Sequence, residues 1–204
     1  MRTSDSDLFA ELEEIQDAIR FAELEDIRYD IMNFAEYVMR DEKGEHWKLG
    51  EHHKEWYSIL LSAVSGVVDV SNITVGGEPV LAAGTPAAMN VEIMAPREHG
   101  KTSTIQCFLL FILGHNPNIR IKYVTGADNL ATDVVGQVKK NIENNERFKE
   151  VFPHIKSRHG GTWTGHELEI ERDAAADLGI KDATLQAFAK RPCHRWPRRH
   201  YHLR

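Results

Sequence analysis

The sequence predicts an α/β fold, with a parallel sheet standing behind a helical N-terminal lead-in. Three observations carry that expectation. Residues 1–70 read as helices, residues 91–188 alternate strand-like and helix-like runs, and the order there is strand, loop, helix, strand. That alternation is the mark of a unit whose strands run parallel. Residues 71–90 form a connecting loop, and residues 189–204 depart from the rest in composition.

The elements follow in chain order. Residues 5 to 30 place Leu8, Leu12, Ile15, Ile19 and Ala22 at helical spacing among ten acids and two arginines, which predicts an acidic amphipathic helix. Its polar surface reads either as a solvated face or as a docking arm for a partner. A second helix is expected through "DIMNFAEYVMR". A third runs through "HHKEWYSILLSAVSGVV", with its aromatic and aliphatic residues on one side. "VGGEPVLAAGTPAA" shows no sustained period and reads as loop. "NVEIMA" is a short apolar run expected to be a strand. "CFLLFILG" is too short for a membrane span of roughly 20 residues and predicts a buried helix. After a turn at "GHNPN" comes a second strand-like run, "IRIKYVTG". Asp128 is expected to cap the next helix, on which Leu130, Val134, Val138 and Ile142 recur every four residues as an apolar face. "HELEIERD" alternates Leu168 and Ile170 with charged residues, as a strand with one exposed face would.

Composition bounds the function. A chain of 204 residues with 42% apolar and 27% charged residues is ordinary for one soluble domain. The two cysteines, Cys107 and Cys193, make no disulfide framework, and the acidic N-terminus lacks a signal-type apolar core, so a cytoplasmic setting without membrane attachment is expected. A net charge of −6 argues against a surface built throughout to hold nucleic acid and leaves a local basic groove open.

One motif carries chemistry. "APREHGKTS" matches the A/G-x-x-x-x-G-K-S/T phosphate loop from Ala95 to Thr102, between an expected strand and an expected helix. In that pattern the backbone around Ala95, Pro96, Arg97, Glu98, His99 and Gly100 turns its amides toward phosphate, aided by the positive end of the helix. Lys101 would reach the β and γ phosphates. The Thr102 hydroxyl, with Ser103 beside it, would face the Mg²⁺ that accompanies ATP. Arg97 inside the loop is unusual, and a guanidinium there could stabilise charge developing on the γ-phosphate, as an arginine finger supplied in cis. A surface arginine paired with Glu98 is the alternative.

These residues carry a resemblance. The loop with an arginine after its proline, the following "YVTGADNLATDVVGQVKKNIENNERFKEVFP", and "KDATLQAF" resemble the ATPase domain of the large terminase subunit of tailed bacteriophages, over roughly Phe34 to Phe188. The resemblance implies a P-loop NTPase sheet of the additional-strand type and ATP-driven packaging of double-stranded viral DNA into procapsids in the host cytoplasm. It also implies partners: the small terminase subunit, the portal, and further copies in a homo-oligomeric ring. Arg97 and Lys101 would be the catalytic residues. The upstream "GEHHKEWYSILL" resembles the family's helix bearing a His and an aromatic, which would bring His52, His53 or Trp56 near the adenine; core packing is the other reading of Trp56.

The family pattern also needs an apolar strand ending in Asp to hold Mg²⁺ and a following acid to position water. No such run lies downstream of Lys101, and no length remains for the family's nuclease domain. Instead the chain ends in "AKRPCHRWPRRHYHLR", with six of the 25 Lys and Arg, three of the 11 His and no acid. Read one base later, Trp196–Pro197 becomes Gly, "HYH" becomes three Ile or Thr residues, and Arg204 can become Asp. A frameshift near codon 189 would therefore have replaced the Asp-bearing strand, leaving the sheet incomplete at its C-terminal side, poorly soluble and catalytically impaired. Two other readings treat the tail as native: Zn²⁺ held by Cys193, His194, His200 and His202, or phosphate contacts to nucleic acid. Beside the packaging motor stand two functional alternatives, a helicase-like P-loop motor and a nucleotide-binding regulator without catalysis.

Overall fold

Six helices and five short strands are found among residues 5–41, 43–81, 91–96, 99–173 and 182–189, the residues that the computed structural model describes. The fold is mixed α/β. Helix α1 (Asp5–Tyr29) breaks at Asp30 into α2 (Ile31–Val38), and α3 (Glu51–Val64) follows after a turn.

The break is chemical. Asp30 is 2% exposed, and its Oδ1 accepts the N–H groups of Met32 and Asn33 at 2.9 and 3.1 Å, which caps α2. Its Oδ2 accepts Thr74 Oγ1 at 2.7 Å and the Gly77 N–H at 2.8 Å. One carboxylate thus joins the helical lead-in to the hairpin of β1 (Thr74–Val75) and β2 (Glu78–Pro79). Burial pushes this carboxyl up, but the donors of Gly77, Thr74 and Asn33 outweigh it and hold its pKa below the usual value. The hairpin lies in the stretch that reads as loop. Gly76 and Gly77, at φ of 59° and 77°, supply the two positive-φ positions of its turn.

Helix α4 (Lys101–His115) is the centre of the core. Every residue from Cys107 to Gly114 is buried, as an apolar run without a polar face requires. Phe111 meets Phe34 edge-on at a centroid distance of 5.3 Å, and the rings of Phe148 and Phe152 complete the cluster. At Gly114 a Cβ would collide with the Phe152 ring, so close helix approach excludes a side chain there. The Cys107 thiol is pushed up to about 12 by burial, which makes it unreactive.

Strand β3 (Ile121–Thr125) pairs in parallel with β5 (Leu185–Ala189), from Ile121 opposite Leu185 to Thr125 opposite Ala189. Strand β4 (Glu167–Leu168) runs antiparallel on the other side of β5, giving the order β3-β5-β4. Between them, α5 (Asp128–Asn144) covers one face of the sheet, and α6 (Glu146–Val151) returns the chain to α1 and α2.

Several expectations are corrected. Val91 to Pro96 form no strand, and alternate between half-buried and exposed without a ladder partner among the described residues. The described sheet is mixed rather than wholly parallel, because β4 runs antiparallel to β5. Leu130 is 51% exposed, and the apolar face of α5 runs instead through Ala131, Val134, Val135, Val138 and Ile142. Asp128 is the first residue of α5 rather than its cap; Ala127 holds that position, and Thr125 Oγ1 donates to its carbonyl. Of "HELEIERD" only Glu167–Leu168 is strand, although Leu168 and Ile170 are both fully buried. Strand β5 is the middle strand, so the edge without a partner among the described residues is that of β3. Residues 190–204, with Cys193, His194, His200 and His202, lie outside the described residues.

Candidate functional site

The candidate site is the N-terminal end of α4 and the segment leading into it. Gly100 adopts the left-handed conformation (φ 71°, ψ 14°) at the N-cap, a geometry that a side chain would strain. Its carbonyl accepts both the N–H and the hydroxyl of Thr104, at 2.8 and 2.9 Å, which pins the first turn. Lys101 folds back, and its Nζ donates to the carbonyl of Ala95 and, at 2.6 Å, to that of Pro96. The ammonium thereby ties Ala95 and Pro96 to the first residue of α4. Thr102 is exposed on the first turn, Ser103 is half-buried, and His99 is exposed. Arg97 and Glu98 lie outside the described residues.

Helix α3 brings aromatic groups to this helix end. The Nδ1 of His53 accepts the Gly50 N–H at 3.1 Å, so in the neutral ring the proton sits on Nε2. That Nε2 faces Gly100, where an added Cβ would stand 3.3 Å from it. The imidazole of His52 lies 3.9 Å from that of His53 and 5.9 Å from that of His99, centroid to centroid. Trp56 packs edge-on against His52 and His53, at 5.0 and 5.4 Å. It is half-buried and lines this cluster rather than the core. Burial first, then the neighbouring His52 and His99 rings, hold the His53 pKa below its usual value, so it is neutral at neutral pH.

On another side of the same turns, a polar cleft of about 810 Å³ opens among Ser103 and Gln106 of α4, Lys140 and Asn144 of α5, and Arg40 and Trp47. The Nη1 of Arg40 is held by the Glu36 and Met39 carbonyls, while its buried Nη2 meets no partner among the described residues.

The arrangement suits an anion. The N-terminal end of a helix, a lysine held on two neutral carbonyls and a neutral imidazole N–H are donors brought to one place. Among the described residues no group of three or more His, Cys, Asp or Glu side chains is placed to hold a metal. A hydroxyl at Thr102, exposed one residue after Lys101, fits a cation carried in by a phosphate chain.

Comparison with protein-family models, with curated proteins and with solved structures returned no match. Among the described residues no helix is long and apolar enough to cross a membrane. Of the motif residues, the structure places Gly100 at the N-cap of α4 and Lys101 as its first residue. The hold of Lys101 on Ala95 and Pro96, and the approach of His53 to Gly100, have no signal in local sequence.

Proposed function

We propose that the chain is the ATPase portion of a large terminase subunit of a tailed bacteriophage, a P-loop unit that binds Mg²⁺·ATP. The observation that carries this reading is the hold of Lys101 on the Ala95 and Pro96 carbonyls beside the left-handed Gly100 at the start of α4. A nucleotide would draw Lys101 from two carbonyls onto its β and γ phosphates, a stronger charge-assisted pairing. The amides from His99 to Lys101 would face the phosphates, Thr102 would ligate Mg²⁺, and Arg97 would stabilise charge on the γ-phosphate. His53 stands beside Gly100, with His52 and Trp56 packed on its ring, and the three would border the nucleoside. In this reading the translocated substrate is double-stranded viral DNA. The partners are the small subunit, the portal and further copies in a ring.

One observation favours binding without turnover. Within these 204 residues no apolar run downstream of Lys101 ends in a pair of acids of the kind that would fix Mg²⁺ and orient water. The frameshift accounts for that loss. Phosphate release measured with Mg²⁺·ATP is expected to stay at background. Sustained turnover that disappears in Lys101→Ala would keep the site and refute the impairment. The coding DNA tests the cause: an open terminase-like frame in the shifted register supports it, and none removes it.

A further inference from the structure

Helix α1 has two halves. From Arg20 onward it is tied down: Arg20 Nη2 donates to Tyr37 Oη at 2.6 Å and to Glu150 Oε1 at 2.7 Å, and Arg28 Nε donates to the Val151 carbonyl at 3.0 Å. Leu24 and Ile27 pack on the core. Before Arg20, every described side chain from Leu8 to Ile19 is exposed. Leu8, Leu12, Ile15 and Ile19 are 48%, 50%, 49% and 55% exposed, and their spacing of four, three and four residues is that of alternating d and a positions of a heptad. The seam is thus written in the sequence and left bare in the fold. A free-standing helical segment of this length is marginal in water, roughly 12–15 residues being the lower limit for an isolated helix even in Ala-rich sequences. Its helicity therefore calls for a packed face.

The charge around the seam chooses the occupant. Asp5–Tyr29 contains nine acids against Arg20 and Arg28, with no lysine or histidine, so its net charge is −7. In the heptad register the e and g positions are Phe9, Glu11, Gln16, Ala18, Glu23 and Glu25, and none is basic. A second copy would set −7 against −7 with no attractive flanking pair, and flanking charges are what select coiled-coil partners.

We propose that the free half of α1 is a docking strand for a partner protein's amphipathic helix with basic flanks, forming a two-stranded coiled coil along Leu8, Leu12, Ile15 and Ile19. The proposal is independent of nucleotide binding at α4.

The test uses the full chain and two synthetic helices of about 21 residues, three heptads, with Leu at a and d. One carries Lys at e and g, the other Glu. Fluorescence anisotropy is expected to show the Lys-flanked peptide binding at least about tenfold more tightly, with the preference shrinking near 1 M salt. Ile15→Asp should remove binding of both. Because that change can also unwind the helix tip, Glu11→Lys with Gln16→Lys provides a second test: the seam is kept, and preference should move toward the Glu-flanked peptide. Equal binding of both peptides, binding of neither, or self-association of the chain that Ile15→Asp abolishes would overturn the proposal.

Discussion

The two ends of α4 are built on opposite terms. From Cys107 to Gly114 the helix is sealed on all sides, with Leu110, Phe111 and Leu113 fully buried. At Lys101–Ser103 it is exposed or half-buried, begins from a left-handed glycine and holds the preceding segment by a lysine rather than by packing. The difference teaches how a small fold can present a candidate site: the sealed half fixes the axis, and the open half holds its ammonium on two carbonyls that a ligand could replace. Removing interactions from the sealed half should lower stability and leave ligand affinity of the folded molecules unchanged. Changes at the open half should weaken ligand binding more than they lower stability.

The largest effect on stability is expected from Phe111→Ala, which hollows the ring cluster shared with Phe34 and Phe152. A loss of about 4 kcal/mol in urea unfolding is expected. If nucleotide affinity, measured well below the unfolding midpoint, fell as well, the separation of the two ends would be wrong.

The pH response sharpens the same division. His115, at the sealed end, lies with Nε2 2.9 Å from the Arg28 carbonyl, and burial lowers its pKa from 6.5 to about 4. The folded value lies below the unfolded one, so on acidification the unfolded chain takes up the proton first. Stability from this group is full above about pH 6.5 and falls toward pH 4, by about 3 kcal/mol in all. Asp30 acts in the same direction, its lowered pKa giving stability that is lost at still lower pH. Urea midpoints between pH 7 and pH 4 should slope in the native chain and flatten in His115→Gln.

A smaller stability effect, about 1 kcal/mol, is expected for Gly100→Ala at the open end, where a left-handed residue gains a Cβ that approaches His53 Nε2. Nucleotide affinity should fall more than stability does, as isothermal calorimetry and urea unfolding of one preparation would show.

What the sequence could reveal depended on how local each signal is. The buried α4 was legible because eight successive apolar or small residues leave no polar face. The start of α4 just after Gly100 was legible because a glycine directly precedes the helical run. Strand β5 was not, since "LQAFA" is too short to show a period and becomes a strand by lying between β3 and β4. The hairpin was hidden for the opposite reason: Gly76–Gly77 marks the turn, but its strands are two residues each. Leu130 fits the four-residue repeat of α5, yet the covered face turns toward Ala131 and Val135, a matter of where the sheet stands. The mooring of Asp30 to Thr74 and Gly77 spans more than forty residues and no spacing rule reaches it.

The account stands most directly on calorimetric titration of the chain with Mg²⁺·ATP and with adenosine, repeated on Lys101→Ala. The triphosphate should bind and adenosine should not compete with it. The lysine substitution should weaken binding about ten- to a hundredfold, the loss of charged hydrogen bonds, with the unfolding midpoint unchanged. Equal affinity of Lys101→Ala and the native chain for Mg²⁺·ATP would contradict the claim that this helix end is a phosphate site.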